Sequence, residues 1–212
     1  MKKEVKQKHN KVLIVGGGES LVGFDLDLIK NFDGAVVTVN SVIHHLPRAD
    51  YWITVDLSTL QKGLFPMKED CYYYAGYPKL KDYEKVEGVH YLEKIVPKSL
   101  YKLQEDKDKI TGGVDSIYGA LNLAYHFEAK EIIILGMDCY GFGHWYDLEQ
   151  PYNACGIENW DKVWLSGIIK RYGNCTKQLE NRRVKVVNGS KHSKIDCFER
   201  MTPEEAIKYF DK

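Results

Sequence analysis

The sequence predicts a single α/β domain of Rossmann-like type, with a mostly parallel sheet and helices on both faces. Short runs that are wholly apolar and rich in β-branched residues, such as Val12–Val15 and Ala35–Val39, are typical of strands buried on both faces. Amphipathic segments lie between these runs, with apolar residues three and four positions apart. The short connections between strand and helix favour parallel pairing with right-handed crossovers.

Seven strands and six helices are predicted, one of them a short helix after Asn40 that carries His44 and His45. The strands lie at 12–15, 35–39, 51–55, 71–75, 89–92, 131–135 and 184–187. One helix follows the first strand and has Leu21, Phe24, Leu28 and Phe32 on one face, and a short helix starts at Ser99. The next helix spans 114–127 and is preceded by Thr111–Gly113, and another includes Trp160, Val163, Trp164 and Ile168. The last helix is capped by Thr202 and begins with Pro203. The segment 57–109 is the least regular.

Composition limits the classes of protein to consider. The 212 residues fit one domain, 1–212, with 1–10 as a flexible lead-in and 139–156 as a candidate lid loop. Thirty basic and thirty acidic residues give no net charge, which disfavours duplex nucleic acid and anionic membranes as partners. Five scattered cysteines without zinc spacing, and no apolar run near the length of a membrane span, favour a reduced, cytoplasmic protein. The sequence predicts no oligomeric state.

Polar or glycine residues follow five of the predicted strands. They are Gly16–Ser20, Asn40, Asp56, Gly136–Asp138 and the segment 188–190. In parallel sheets ligands bind outside the carboxyl ends of the strands, so these residues are the candidate site. The alternative at each position is that glycine, asparagine and aspartate end strands because turns require them.

The glycine run Gly16–Gly18 predicts a close approach of the backbone to phosphate. Leu21 stands where a dinucleotide-binding motif has its third glycine, and the second strand ends in Asn40 without an acidic residue for ribose. Glu19 and Ser20 stand where a P-loop would have lysine. Both the NAD-binding and the P-loop interpretation are therefore excluded.

Two further segments are candidates. Thr111, Gly112 and Gly113 precede a helix and could bind an anion or a sugar, although threonine is also an ordinary helix cap. The loop 140–147 combines aromatic residues with His144, which is the candidate general base because imidazole titrates near neutral pH. The alternatives are a loop that covers its own aromatic rings, with His144 bonded to backbone, and His192 as the base.

The chain resembles a known family through several motifs: VLIVGGGES, VVTVNS, ADYWITVD, ITGGVDSIYGALNLAYHFEAKEIIILGMDCYG and VVNGSKHSKID. The family unites motility-associated flagellin glycosylation proteins, 6-hydroxymethylpterin diphosphokinase-like proteins and short phage-encoded proteins, and its framework is similar to that of single-Rossmann sialyltransferases. The resemblance spans nearly the whole chain.

The resemblance implies a nucleotide along the carboxyl ends of the strands. Gly17, Gly18 and Ser20 match the turn near phosphate, Asn40 the asparagine after the second strand, Thr111–Gly113 the segment beside ribose and base, and Gly136 and Asp138 the G-x-D motif. Glu19 replaces the usual proline of the turn. Sialyltransferase-like proteins keep a catalytic histidine in the region of His144.

Three functions remain open from the sequence. The first is a glycosyltransferase-like enzyme that uses a nucleotide-activated sugar, such as a cytidine-linked one, with His144 and Asp138 as catalytic candidates. The second is a diphosphokinase, for which Asp56 and Asp138 would hold Mg²⁺. The third is a noncatalytic nucleotide-binding module. In each case the nucleotide is a ligand or substrate; no resident cofactor is predicted, and Mg²⁺ is required only by the diphosphokinase alternative.

Overall fold

The structure is a computed structural model that describes residues 8–56, 59, 68–77, 85–139, 144–146 and 162–211. Its strands form one nine-stranded, wholly parallel sheet in the order β6-β5-β4-β3-β2-β1-β7-β8-β9. The strands are β1 Lys11–Val15, β2 Ala35–Val39, β3 Tyr51–Thr54, β4 Tyr72–Tyr77, β5 Val89–Ile95, β6 Lys109–Thr111, β7 Glu131–Leu135, β8 Lys185–Asn188 and β9 Glu199–Arg200. The predicted fold class is confirmed.

The described helices are α1 Asp27–Lys30, α2 Ser116–His126, α3 Lys162–Asn181 and α4 Pro203–Ile207, with 3₁₀ turns at Glu19–Leu21 and Asn40–His45. The last helix starts as predicted, since the Thr202 hydroxyl accepts from the Glu205 amide and the Glu205 carboxylate accepts from the Thr202 amide. Helix α2 lies across β1, β2, β3 and β6.

Both faces of the sheet are covered. Val12–Val15 are all fully buried, although successive residues of a strand point to opposite faces. Ile53 of β3 faces α2, because a Cβ on Gly119 would lie 3.8 Å from Ile53 Cδ1. Its chain neighbour Trp52 belongs to a second core on the other face, together with Ile43 of the 3₁₀ turn. Fully burying each such apolar side chain contributes about 1.5 to 3 kcal/mol.

The predicted helix after the first strand is wrong for most of its length. The segment contains only the 3₁₀ turn Glu19–Leu21 and the four residues of α1. Gly23 has a φ of 77°, which ends the turn in the left-handed region. Phe24 and Phe32 are each 7% exposed, so their spacing reflects packing onto the sheet and not a continuous helix.

Two predictions for the segment before α2 are also wrong. Ser99 caps no helix, because the chain is irregular from 96 to 108. Thr111 is not the helix cap that the sequence offered as an alternative; it ends β6, a three-residue strand that the sequence does not reveal because it is so short. The cap of α2 is Asp115, whose carboxylate accepts from the Tyr118 amide at 2.7 Å. The two-residue strand β9 was likewise not predicted.

Part of the predicted lead-in is anchored. The His9 amide donates to the Phe127 carbonyl at 3.1 Å, and the Asn10 carbonyl accepts from the Lys130 amide at 2.9 Å. Residues 1–7, Trp160 and all of the candidate lid loop except 139 and 144–146 lie outside the described residues. Among the helices that are described, none is long and apolar enough to cross a membrane.

Candidate functional site

The strand order reverses between β1 and β7, which are neighbours in space. In a parallel sheet such a switch point leaves a crevice between the loops that leave the two strands. Those loops here are Gly16–Ser20 and Gly136–Asp138. The Gly16 amide donates to the Leu135 carbonyl at 2.8 Å, and the Gly18 amide donates to the Gly136 carbonyl at 3.0 Å. Two of the predicted site segments therefore meet at this point.

Asp138 joins three segments through its carboxylate. One oxygen accepts from the Ser20 amide at 2.7 Å, and the other accepts from the Ser20 hydroxyl at 2.6 Å and the Ser190 hydroxyl at 2.5 Å. Asp138 is only 3% exposed. In this arrangement the side chain holds the loops after β1, β7 and β8 together.

The glycines of the first loop have no room for a side chain. A Cβ on Gly17 would lie 2.9 Å from Cε1 of the His144 ring, and one on Gly18 would lie 2.5 Å from the Asp138 carboxyl carbon. Gly136 has a φ of 67° and faces the Gly16 carbonyl. Contacts within the chain therefore account for glycine at these positions without a phosphate.

His144 lies directly over the glycine loop. Its Nδ1 is 3.1 Å from the Gly17 carbonyl oxygen, which also accepts from the Trp145 amide at 3.1 Å. A carbonyl only accepts, so Nδ1 carries a proton, and in the neutral ring the lone pair is on Nε2. His144 therefore makes a hydrogen bond to the backbone, as the alternative to a catalytic role predicted. The same bond fixes the tautomer that a general base needs.

An aromatic stack connects the loop after β7 to the 3₁₀ turn after β2. The Tyr146 ring lies 5.0 Å from His144 on one side and 3.9 Å from His45 on the other, and its hydroxyl is 2.7 Å from the Ser41 hydroxyl. Trp145 packs edge-on against both His45 and Tyr146. Its indole Nε1 is buried and has no hydrogen-bond partner among the described residues.

Asn40 has a left-handed backbone, with a φ of 48°. Its side-chain oxygen accepts from the Thr54 hydroxyl at 2.8 Å and from the Ser116 hydroxyl at 3.1 Å. Its carbonyl accepts from Trp52 Nε1 at 2.7 Å. Asn40 therefore connects the ends of β2 and β3 with the start of α2, and asparagine is among the residues that tolerate this conformation.

Thr111, Gly112 and Gly113 also lie at the carboxyl ends of the strands, but on the far side of β5 from the switch point. Thr111 is fully buried, and its hydroxyl accepts from Gln104 Nε2 at 2.9 Å. The Gly113 carbonyl accepts from Arg171 Nη1 at 2.5 Å. These contacts place the Thr111 hydroxyl in the interior and not on the edge of the sheet.

Asp56 and His192 are both exposed at the same edge, on the segments that follow β3 and β8. The magnesium alternative would use the carboxylates of Asp56 and Asp138, but both Asp138 oxygens already accept hydrogen bonds from serine side chains or backbone. Within the described part of the chain, no three His, Cys, Asp or Glu side chains are arranged to hold a metal ion. The donor set therefore fits Mg²⁺ poorly.

Two residues near the switch point were not identified from the sequence. Asp115 accepts from the Tyr172 hydroxyl at 2.7 Å, and burial raises its pKa against the effect of its hydrogen bonds. Cys139 has a φ of 53°, and burial together with the Asp115 and Asp138 carboxylates raises the pKa of its thiol. A thiol with a raised pKa is a poor nucleophile. The position of Asp115 before a helical pattern is the signal that could have identified it.

A cavity of about 300 Å³ lies at the opposite edge, near the amino ends of β7 and β8. Its walls include Tyr125, His126 and the ion pair of Arg182 with Glu105. The Arg182 guanidinium lies 3.8 Å from the Tyr125 ring centre, and the Lys130 amine donates to the Arg182 carbonyl at 2.9 Å. Because these cations are engaged within the chain, the switch point remains the stronger candidate.

Comparison of the chain with protein-family models, with curated proteins and with solved structures finds no match.

Proposed function

We propose that this protein binds a nucleotide-activated sugar at the β1/β7 switch point and transfers the sugar to an acceptor hydroxyl. The observation that carries the proposal is the position of His144 over the glycine loop, with Nδ1 bonded to the Gly17 carbonyl. A general base must present an unprotonated nitrogen to the acceptor, and this tautomer assigns the lone pair to Nε2. The resemblance to sialyltransferase-like proteins supports the same residue.

The transfer step uses His144 directly. Its Nε2 takes the proton of the acceptor hydroxyl while the hydroxyl oxygen bonds to the anomeric carbon of the sugar. The bond from that carbon to the phosphate oxygen breaks, and its electron pair leaves with the nucleotide. Asp138 acts as a positioning residue, because its carboxylate binds Ser20 at the end of the glycine loop that His144 contacts.

The aromatic stack supports a role in excluding water. Tyr146 lies between His144 and His45, and Trp145 is packed against the same rings. Rings of this kind offer flat surfaces to a base or sugar, and they shield an activated donor from hydrolysis. The buried Trp145 Nε1, which has no partner among the described residues, is a donor suited to a ligand oxygen.

A noncatalytic nucleotide-binding module is the second candidate, favoured by one observation. Asp138 and His144 both make hydrogen bonds that hold the loops in place, which is also what a purely structural role requires. The two candidates share a binding site and differ in turnover.

The test begins with calorimetric titration of the protein with CMP, UDP, GDP and ATP, each with and without Mg²⁺. Binding of a pyrimidine nucleotide without metal is the expected result. Strictly Mg²⁺-dependent binding of ATP would instead support a diphosphokinase. The protein is then incubated with CMP-linked and UDP-linked sugars, and nucleotide release is followed with and without candidate acceptors. Binding without release would favour the noncatalytic module, and absence of any nucleotide binding would overturn the proposal.

A further inference from the structure

Lys94 is a partly buried cation at the carboxyl end of β5. Its ammonium donates to the Val55 carbonyl at 3.0 Å. An ammonium has three N–H donors, and the bond to the Val55 carbonyl uses one of them. Among the described residues, the Lys94 ammonium makes no second hydrogen bond. Burial lowers the pKa of Lys94, and attraction to the exposed Asp56 only partly opposes that effect. The cation is therefore partly desolvated and retains donors for a ligand.

The ammonium lies on the same edge as the rest of the candidate site. The Val55 amide donates to the Ser116 hydroxyl at 3.4 Å, and that hydroxyl donates to the Asn40 side chain at 3.1 Å. Val55 follows β3, which is two strands from β1. Adjacent strands are about 4.8 Å apart, so this position is about 10 Å from the end of β1. One extended ligand can reach from Lys94 to the switch point.

The glycine loop is a poor place for the anionic part of such a ligand. Ser20 belongs to the turn that the resemblance implies near phosphate, but its amide and hydroxyl both donate to the Asp138 carboxylate. A Cβ on Gly18 would already meet that carboxylate, so a phosphate over Gly18 would face a negative charge at short range. The loop thus already accommodates an anion, and that anion belongs to the chain itself.

Gly112 provides the space for the Lys94 side chain. A Cβ on Gly112 would lie 2.6 Å from Lys94 Cδ and would also meet Cγ. The Gly112 backbone is not left-handed, so the neighbouring side chain, and not the turn, requires glycine. The Gly112 amide donates to the Ile95 carbonyl at 2.8 Å and fixes this arrangement beside β5.

We propose that Lys94 is the anion-binding residue at the carboxyl ends of the strands and that its ammonium binds a phosphoryl group of the ligand near the end of β3, which is about 10 Å along the sheet from the end of β1. The chemistry that recognises the ligand is a charge-assisted hydrogen bond from a partly desolvated ammonium to phosphate oxygen. The nucleotide as the source of that phosphate rests on the proposed function, whereas the anion site itself does not.

The experiment is calorimetric titration of the full chain with inorganic pyrophosphate, CMP and cytidine. The variant Lys94→Met keeps the apolar stem and removes the charge, and Lys98→Met is the matched control on an exposed lysine of the same segment. We expect Lys94→Met to weaken pyrophosphate and CMP binding by about tenfold or more, with cytidine binding unchanged. Lys98→Met should bind all three as the unmodified protein does.

Two further variants test the geometry without removing Lys94. Gly112→Ala should weaken binding of pyrophosphate by displacing the lysine stem, and Asp56→Asn should strengthen it by removing the opposing carboxylate. A folded Lys94→Met protein that binds CMP with unchanged affinity would overturn the inference and leave the proposed function standing. Lys94-dependent binding of pyrophosphate with no binding of any nucleotide would leave the inference standing and overturn the proposed function. If the protein binds neither pyrophosphate nor CMP, the inference is overturned.

Discussion

The Asp138 carboxylate accepts hydrogen bonds from both the amide and the hydroxyl of Ser20, which is 118 residues earlier in the chain. The contact exists because β1 and β7 are adjacent at the switch point of the sheet. It places a negative charge inside the loop that a nucleotide phosphate would otherwise approach. The pair therefore decides which groups of this edge remain available to a ligand.

Replacing Asp138 by asparagine should lower stability more than ligand affinity. The side chain is 3% exposed and loses charge-assisted hydrogen bonds to Ser20 and Ser190. We expect a loss of about 1 to 3 kcal/mol in the free energy of unfolding, measured by urea denaturation. The sequence predicted a ligand-facing Asp138, and that prediction stands instead if affinity falls by this amount while the unfolding curve is unchanged.

Adding a methyl group at Gly17 should displace the His144 ring, because the new Cβ would meet Nδ1 and lie 2.9 Å from Cε1. With His144 as the base, Gly17→Ala should slow sugar transfer by a factor of about 10². Gly173→Ala is the matched control: it has open space around its Cβ in the long helix α3 and should stabilise the fold by about 0.5 to 1 kcal/mol. Full transfer activity in the Gly17 variant would show that the position of the His144 ring does not affect the reaction.

Stability should decrease as the pH falls below about 6.5, the usual pKa of histidine. Burial lowers the pKa of His126, and Lys107 and Arg182 act in the same direction. Between the lowered pKa of His126 and pH 6.5, the folded protein therefore binds fewer protons than the unfolded chain. The contribution of His126 to stability is complete above pH 6.5 and is lost as the pH falls through this range. Urea denaturation from pH 5 to 8 measures this slope. His126→Gln should reduce it, and an identical slope in the variant would contradict the assignment.

Much of the sheet could be predicted from the sequence, because strands such as Val12–Val15 are buried on both faces and must be continuously apolar. The strand order could not, since runs of the same composition fit several positions in a parallel sheet. The sequence therefore predicted that Gly18, Asn40 and Asp138 lie together at the carboxyl ends of the strands. It could not predict that the Asp138 side chain fills the glycine loop. Lys94 was missed because the predicted strand 89–92 ended two residues before it, whereas the strand continues to Ile95.

His144 and His192 are separated by their kinetics. His144→Ala should lose about 10² to 10⁴ in the transfer rate with little change in donor affinity, because a general base acts on the acceptor proton. His192 is exposed on the segment after β8, and His192→Ala should retain the rate of the unmodified protein. The measurement is nucleotide release from a nucleotide sugar under saturating acceptor. The reverse order of effects would make His192 the base.

The Trp145 indole provides a test that a structural role cannot imitate. Its Nε1 is buried and makes no hydrogen bond to any of the described residues. Trp145→Phe keeps an aromatic ring against Tyr146 and removes the donor. If a ligand oxygen accepts from Nε1, nucleotide-sugar affinity should fall by about 0.5 to 1.5 kcal/mol while the free energy of unfolding stays the same or rises. Calorimetry and urea denaturation of the same preparation measure both quantities. A variant that loses stability but binds the nucleotide sugar as tightly as before would show that the indole packs the loop and takes no part in binding.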